Sequence, residues 1–162
     1  MKERRIEMTC PHCGHVFQIK RDTLAIAGIS ENIEKALAKK TYFLHQCSKC
    51  HGMFEMVYPF MFYEPKKHTI LFLGKKEWLS NLKDEIVICH SKPEQFLFSY
   101  QVLSKGLNLA YVLKKKKIWE NKWNARIEFE SYDQEHHCLW ILVNQEPKAI
   151  LLSKEEEIEL TS

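Results

Sequence analysis

Two stretches decide how this chain is read: Cys10-Pro11-His12-Cys13-Gly14 and, after a gap of 33 residues between the pairs, Cys47-Ser48-Lys49-Cys50-His51-Gly52. Each is a Cys-x-x-Cys turn. Two such turns on neighbouring hairpins supply two edges of a thiolate tetrahedron, the arrangement Zn²⁺ takes in structural sites. Pro11 fixes one backbone angle of the first turn, and Gly14 accepts a positive φ, so that backbone N–H groups can point at the sulfurs. Cys10, Cys13, Cys47 and Cys50 are therefore the expected ligands of one structural Zn²⁺ per chain, with iron as the lesser alternative. The gap exceeds the roughly 15–20 residues of an ordinary zinc ribbon. A helix fills the excess: Ser30 stands at its start, Glu31 and Glu34 lie in its first turn, Ile33, Ala36 and Leu37 form its apolar side, and Lys39 and Lys40 close it.

Working outward, Ile6 and Met8 lead into the first cysteine pair, and Val16, Phe17 and Ile19 lead out, which predicts a hairpin. A strand over 42–46 enters the second pair, an aromatic strand over 53–63 leaves it, and another spans Thr69 to Leu73 before Gly74. Trp78, Leu79, Leu82 and Ile86 then recur at helical spacing from Glu77, predicting a helix. A second runs from Pro93, with Phe96, Leu97, Tyr100 and Leu103 as its buried stripe, to Gly106 as a left-handed stop. Residues 107–122 predict a third helix capped by Asn108. Alternation over 126–131, followed by 137–143 and 149–152, predicts a three-stranded antiparallel meander. The expected fold class is α+β: a zinc-ribbon-like β-sheet with an inserted helix over residues 1–75, then helices and the meander over 76–162, the two lobes sharing one core.

A chain of 162 residues with 45% hydrophobic and 28% charged residues has a core to build and lies outside the disordered and low-complexity classes. No stretch approaches the roughly 18 apolar residues of a membrane span, and Met1 to Arg5 opens no export signal. The expectation is a cytoplasmic protein with no membrane partner, and in that reducing compartment the four of its six cysteines that form two Cys-x-x-Cys pairs point to metal rather than disulfides. Cys89 and Cys138 are expected to be buried packing residues. His12, His15, His45 and His51 crowd the cysteine turns and are expected to be solvent-exposed beside an anionic site. Phe54, Tyr58, Phe60, Phe62 and Tyr63 are expected in the core.

Net charge is +3 overall, but residues 105–126 hold seven bases against Glu120, and residues 127–162 hold nine acids against Lys148 and Lys154. Lys114, Lys115, Lys116 and Lys117, with Trp119, Trp123 and Tyr111, form the candidate nucleic-acid-binding segment: lysines on phosphates, rings on bases. A sequence pI of about 8.5 is below the usual footprint of such proteins.

The motif order, Cys10-Pro11-His12-Cys13-Gly14, then Cys47-x-x-Cys50, then Val57-Tyr58-Pro59-Phe60, resembles the CpXC domain family of bacteria and archaea over about residues 5–75. The resemblance implies zinc held by those four cysteines and leaves the biochemical role open. Ser48 stands where the family usually has proline, and His51 moves Gly52 one place later.

A closed four-cysteine site leaves no open position for substrate, so the favoured reading is a structural-zinc interaction module for an unidentified protein partner, not an enzyme. Nucleic-acid binding through 105–126 is the alternative. A thiol redox protein is the lesser one: Cys10-Pro11-His12-Cys13 is similar to the active-site tetrapeptide of disulfide oxidoreductases, yet strand-like residues follow it where such a thiolate needs a helix N-terminus. No His-x-Glu, His-Glu-x-x-His, Gly-x-Ser-x-Gly or phosphate-loop pattern is present.

Overall fold

The computed structural model describes residues 3–79 and 84–162. The chain forms two compact units, Met1–Leu97 and Phe98–Ser162.

The first unit opens with β1 (Glu3–Thr9) and β2 (Val16–Asp22), an antiparallel pair closed by the first cysteine turn. A short strand, β3 (Leu24–Ile26), enters a four-stranded sheet, followed by α1 (Glu31–Ala38). Next come β4 (Leu44–Gln46) and β5 (Met53–Glu55), a two-stranded hairpin closed by the second cysteine turn. β6 (Phe60–Glu64) then pairs parallel to β3, so the second turn is an insertion within a β3–α1–β6 crossover. β7 (Thr69–Leu73) pairs antiparallel to β6, and β8 (Ile86–His90) pairs parallel to β7, giving the order β3-β6-β7-β8. All five residues of β7 are buried, as a central strand covered on both faces requires. Phe43 anchors the core, meeting Phe60 edge-on at 5.5 Å and Phe96 at 5.6 Å between ring centroids. Phe54, Tyr58, Phe60 and Phe62 are buried as expected, and Tyr63, less covered, donates its hydroxyl to Glu85.

The division at 97/98 lies beyond residue 75 because β8 belongs to the sheet of β7. The helix expected from Glu77 is replaced by a single 3₁₀ turn at Lys76–Trp78 and, at Ile86, by β8. Leu82 lies outside the described residues. Ile86, Val87 and Ile88 are β-branched, and pairing with β7 overrides the helical spacing. The strand expected over 53–63 is two, broken before Pro59 because β5 and β6 belong to different sheets. Cys89, on edge strand β8, is exposed rather than buried. Ser30 precedes α1, but its Oγ accepts from the Ile26 N–H at 3.0 Å instead of capping the helix.

α2 (Pro93–Ser104) runs across the boundary and stops before Gly106, whose φ is +73°. In the second unit, α3 (Leu109–Trp123) begins where Asn108 accepts from the Tyr111 N–H, as its sequence predicts. β9 (Ile127–Asp133), β10 (Cys138–Val143) and β11 (Glu146–Leu151) form the expected meander. Its buried side chains are Ile127, Phe129, Cys138, Leu139, Ile141 and Val143. A fourth helix, α4 (Lys154–Thr161), follows the meander, where the sequence reading assigns no element. Its signal is the capping box, in which Ser153 accepts from the Glu156 N–H and Glu156 accepts from the Ser153 N–H. α4 is held by Tyr132 and Tyr111, which donate to Glu157 and Glu156, and by the Asn108 N–H on the Leu160 carbonyl.

Candidate metal centre

The two cysteine turns are built alike, residue for residue. In the first, the Cys10 N–H bonds the His15 carbonyl at 2.9 Å and the Gly14 N–H bonds the Cys10 carbonyl at 2.9 Å. In the second, the Cys47 N–H bonds the Gly52 carbonyl at 3.0 Å and the His51 N–H bonds the Cys47 carbonyl at 3.0 Å. The residue after the second cysteine must turn left-handed in both. Gly14 does so with φ +75°, and His51 does so with φ +61°, so the second turn keeps its hydrogen bonds without a glycine at that place.

Gly52 has another task. A Cβ there would lie 2.7 Å from His12 Cδ2 and 3.3 Å from Cys50 Sγ. The missing side chain lets the His12 ring cross from the first turn and reach the second, with Nε2 2.9 Å from the Met53 carbonyl oxygen. Backbone N–H groups point at three of the sulfurs: His12 to Cys10, Lys49 to Cys47 and Gly52 to Cys50, each at 3.4 Å.

All four Sγ atoms lie within 4.8 Å of one another. Cys10 Sγ is 3.6 Å from Cys50 Sγ, and Cys13 Sγ is 3.6 Å from Cys47 Sγ. A tetrahedron with Zn–S bonds of about 2.3 Å has edges of about 3.8 Å. The four thiols are therefore close enough together to hold one metal ion. Cys10 and Cys47 are buried and Cys13 and Cys50 exposed, so each turn gives one inner and one outer sulfur. The N–H groups of Cys50 and Lys49 and the adjacent sulfurs hold the Cys47 thiol down to about 6. Cys50, although the Gly52 N–H favours its thiolate, is pushed up to about 11 by desolvation and the neighbouring sulfurs.

Among the described residues no histidine joins the cluster. His12 and His51 are exposed, and His15 stacks on Phe17 with ring centroids 5.6 Å apart. His45 corrects the expectation: it is buried between Phe54 and Tyr58, and burial, aided by Arg21, lowers its pKa to about 4. β2, rather than a helix, follows Cys13, so the helix N-terminus that activates an oxidoreductase thiolate is missing after this pair.

The basic segment lies on α3, away in sequence from the thiols. Trp119 is only 7% exposed and belongs to the core of its unit. Lys115 faces Glu156 at 3.8 Å and Lys116 faces Glu120 at 3.6 Å. Lys114 and Lys117 are exposed, and Trp123 is half-buried under the Lys122 ammonium.

Paired Cys-x-x-Cys turns with converging sulfurs define a four-cysteine cluster with the geometry to hold a metal ion. The family described as CpXC protein matches residues 8–121, and the chain belongs to it. That match reaches through most of α3, well past the 5–75 span visible from motif order. No curated protein and no solved structure matches the chain. No helix among the described residues is long and apolar enough to cross a membrane.

Proposed function

We propose that the protein holds one structural Zn²⁺ through Cys10, Cys13, Cys47 and Cys50, and that the unit so stabilised is a cytoplasmic interaction module for another protein, with no catalysis at the metal. The observation that carries this is the convergence of four sulfurs, with no other donor in the cluster among the described residues. Four thiolates complete the coordination of zinc, whereas a catalytic zinc keeps a position for water or substrate. The metal would join two hairpins that share no strand pairing, β1-β2 and β4-β5. Binding of order 10–16 kcal/mol is comparable with the whole stability of a domain, so the metal would decide whether this unit folds.

Elemental analysis of freshly purified protein tests the metal: one zinc per chain is expected, and a strong chelator unfolds the first unit. Metal-free protein with Cys10–Cys13 and Cys47–Cys50 disulfides would overturn it and restore the redox reading. For the module, affinity capture is run with native chain and with Cys47→Ser. A partner bound by the native chain and lost with the metal supports the reading. Turnover of any substrate that depends on the metal overturns it.

A further inference from the structure

Among the described residues, the sheet edges of this chain are defended at every place but one. An edge strand presents unpaired N–H and C=O groups, and natural sheets blunt such edges with charge, proline or shortness. β3, β4 and β5 have three residues each. β1 and β2 carry Arg4, Arg5, Lys20 and Arg21. In the meander, β9 carries Glu128 and Glu130, and β11 carries Pro147 and Lys148. β8 closes the four-stranded sheet with Ile86-Val87-Ile88-Cys89-His90, which holds no proline, acid, lysine or arginine. Its one strand partner among the described residues is β7. Ile86 is 59% exposed, and Cys89 is exposed too.

The bonds of β8 fix which of its backbone groups face outward. The Ile86 N–H bonds the His68 carbonyl at 2.7 Å, and the His90 carbonyl accepts from the Gly74 N–H at 3.0 Å. Residues 86, 88 and 90 therefore bond toward β7, and Val87 and Cys89 turn their N–H and C=O groups to the open side. An antiparallel copy of β8, related by a two-fold axis at Ile88, sets Val87 of each chain opposite Cys89 of the other, in the class of pair that exchanges both N–H···O bonds. Both outward residues are then satisfied, with Ile88 opposite Ile88 and Ile86 opposite His90. The flanks choose the partner. Asp84 stands before the strand and Lys92 after it, both exposed, and neither forms an ion pair among the described residues. The two-fold brings Asp84 of each chain to Lys92 of the other, whereas a parallel copy sets like charges together.

We propose that the protein forms a two-fold dimer through β8, a second copy extending β3-β6-β7-β8 into one continuous sheet. Assembly stops at two copies, because the outer edges of that sheet are the three-residue β3 strands. The dimer rests neither on which metal the cysteines hold nor on the protein partner proposed above.

Sedimentation equilibrium of metal-replete full-length protein tests it. The mass is expected to rise from the 19.3 kDa of one chain toward twice that value as concentration goes from about 1 to about 100 µM. Val87→Pro removes an outward N–H that the β7 ladder does not use, so it weakens the dimer at least about tenfold with little change in thermal melting. Lys92→Glu and Asp84→Lys, both at exposed positions, each weaken self-association about tenfold by setting like charges together. An equimolar mixture of these two variants restores the native affinity, since each charge then meets its opposite. A lysine suits position 84, whose φ is +70°, because Lys40 already adopts +62°. A chain that stays monomeric at about 100 µM would overturn the proposal and leave the edge to a strand of another protein. Growth past two copies, charge variants that dimerise as the native chain does, or a mixture no tighter than its components would each overturn it as well.

Discussion

Gly52→Ala tests whether the two cysteine turns act as one unit. The new methyl would sit 2.7 Å from His12 Cδ2 and 3.3 Å from both His12 Cγ and Cys50 Sγ. The imidazole must move, and with it goes the 2.9 Å bond from Nε2 to the Met53 carbonyl. The ring is exposed and swings aside, which relieves the clash, so the penalty is the lost hydrogen bond, about 1 kcal/mol. Where metal binding and folding are one equilibrium, it appears directly as lost affinity, about fivefold. Competition for Zn²⁺ against a chromophoric chelator at neutral pH measures it. His12→Ala alone removes the bridge and costs about 1 kcal/mol. In that background the methyl has space, so the double variant should be tighter than the sum of the two losses by about 1 kcal/mol. Strict additivity, or wild-type affinity for Gly52→Ala, would refute the idea that His12 bridges the turns through the space left by Gly52.

Three further outcomes follow from the same geometry. Chelation followed by hydrogen exchange should strip amide protection from β1 to β8 and leave α3 and the β9-β10-β11 meander protected; uniform loss would show that the metal holds both units. Ser153→Ala removes the hydroxyl of the α4 capping box and should lower stability by about 1 kcal/mol in thermal unfolding, with the early loss confined to α4. The α4 carboxylates set a pH window: the Ser153 N–H holds Glu156, and the Tyr132 hydroxyl holds Glu157, below the ordinary value of 4.5. Their folded pKa values are depressed, so this stabilisation is complete above 4.5 and disappears as pH falls through the lower folded values; α4 exchange that is already fast at pH 6 would contradict it. Trp119→Ala should cost about 3–5 kcal/mol as a core deletion, and Trp123→Ala much less; near-equal, small effects would return Trp119 to the surface as a stacking platform.

What could be read from the chain was whatever local chemistry decides. The four-cysteine cluster is legible because a Cys-x-x-Cys turn is complete within five residues, and Pro11 and Gly14 announce its backbone. The α2, α3 and meander elements were legible for the same reason: Pro93, Asn108 and the alternation after Arg126 act over one or two turns of chain. β8 was not, because Ile86-Val87-Ile88 becomes a strand only through β7, a partner supplied from across Gly74. Cys89 went wrong with it, since an apolar run at a sheet edge leaves one face open. α4 is announced only by its Ser153-x-x-Glu156 capping pattern, which stands before a run of acids with no helical apolar stripe.

His12 shows the deeper limit. Its neighbours in sequence make it one more histidine beside a metal, and its spacing resembles that of a ligand. Its role depends on Gly52, forty residues on, and on the Met53 carbonyl, neither of which spacing can connect to it. The displaced glycine of the second motif then has a physical account. A left-handed residue is needed after Cys50, and His51 tolerates that conformation at modest cost. Absence of a side chain is needed one place later, where the ring from the other turn arrives. Glycine stands where space is required rather than where φ is positive, and the two turns are thereby joined through the His12 ring as well as through their converging sulfurs.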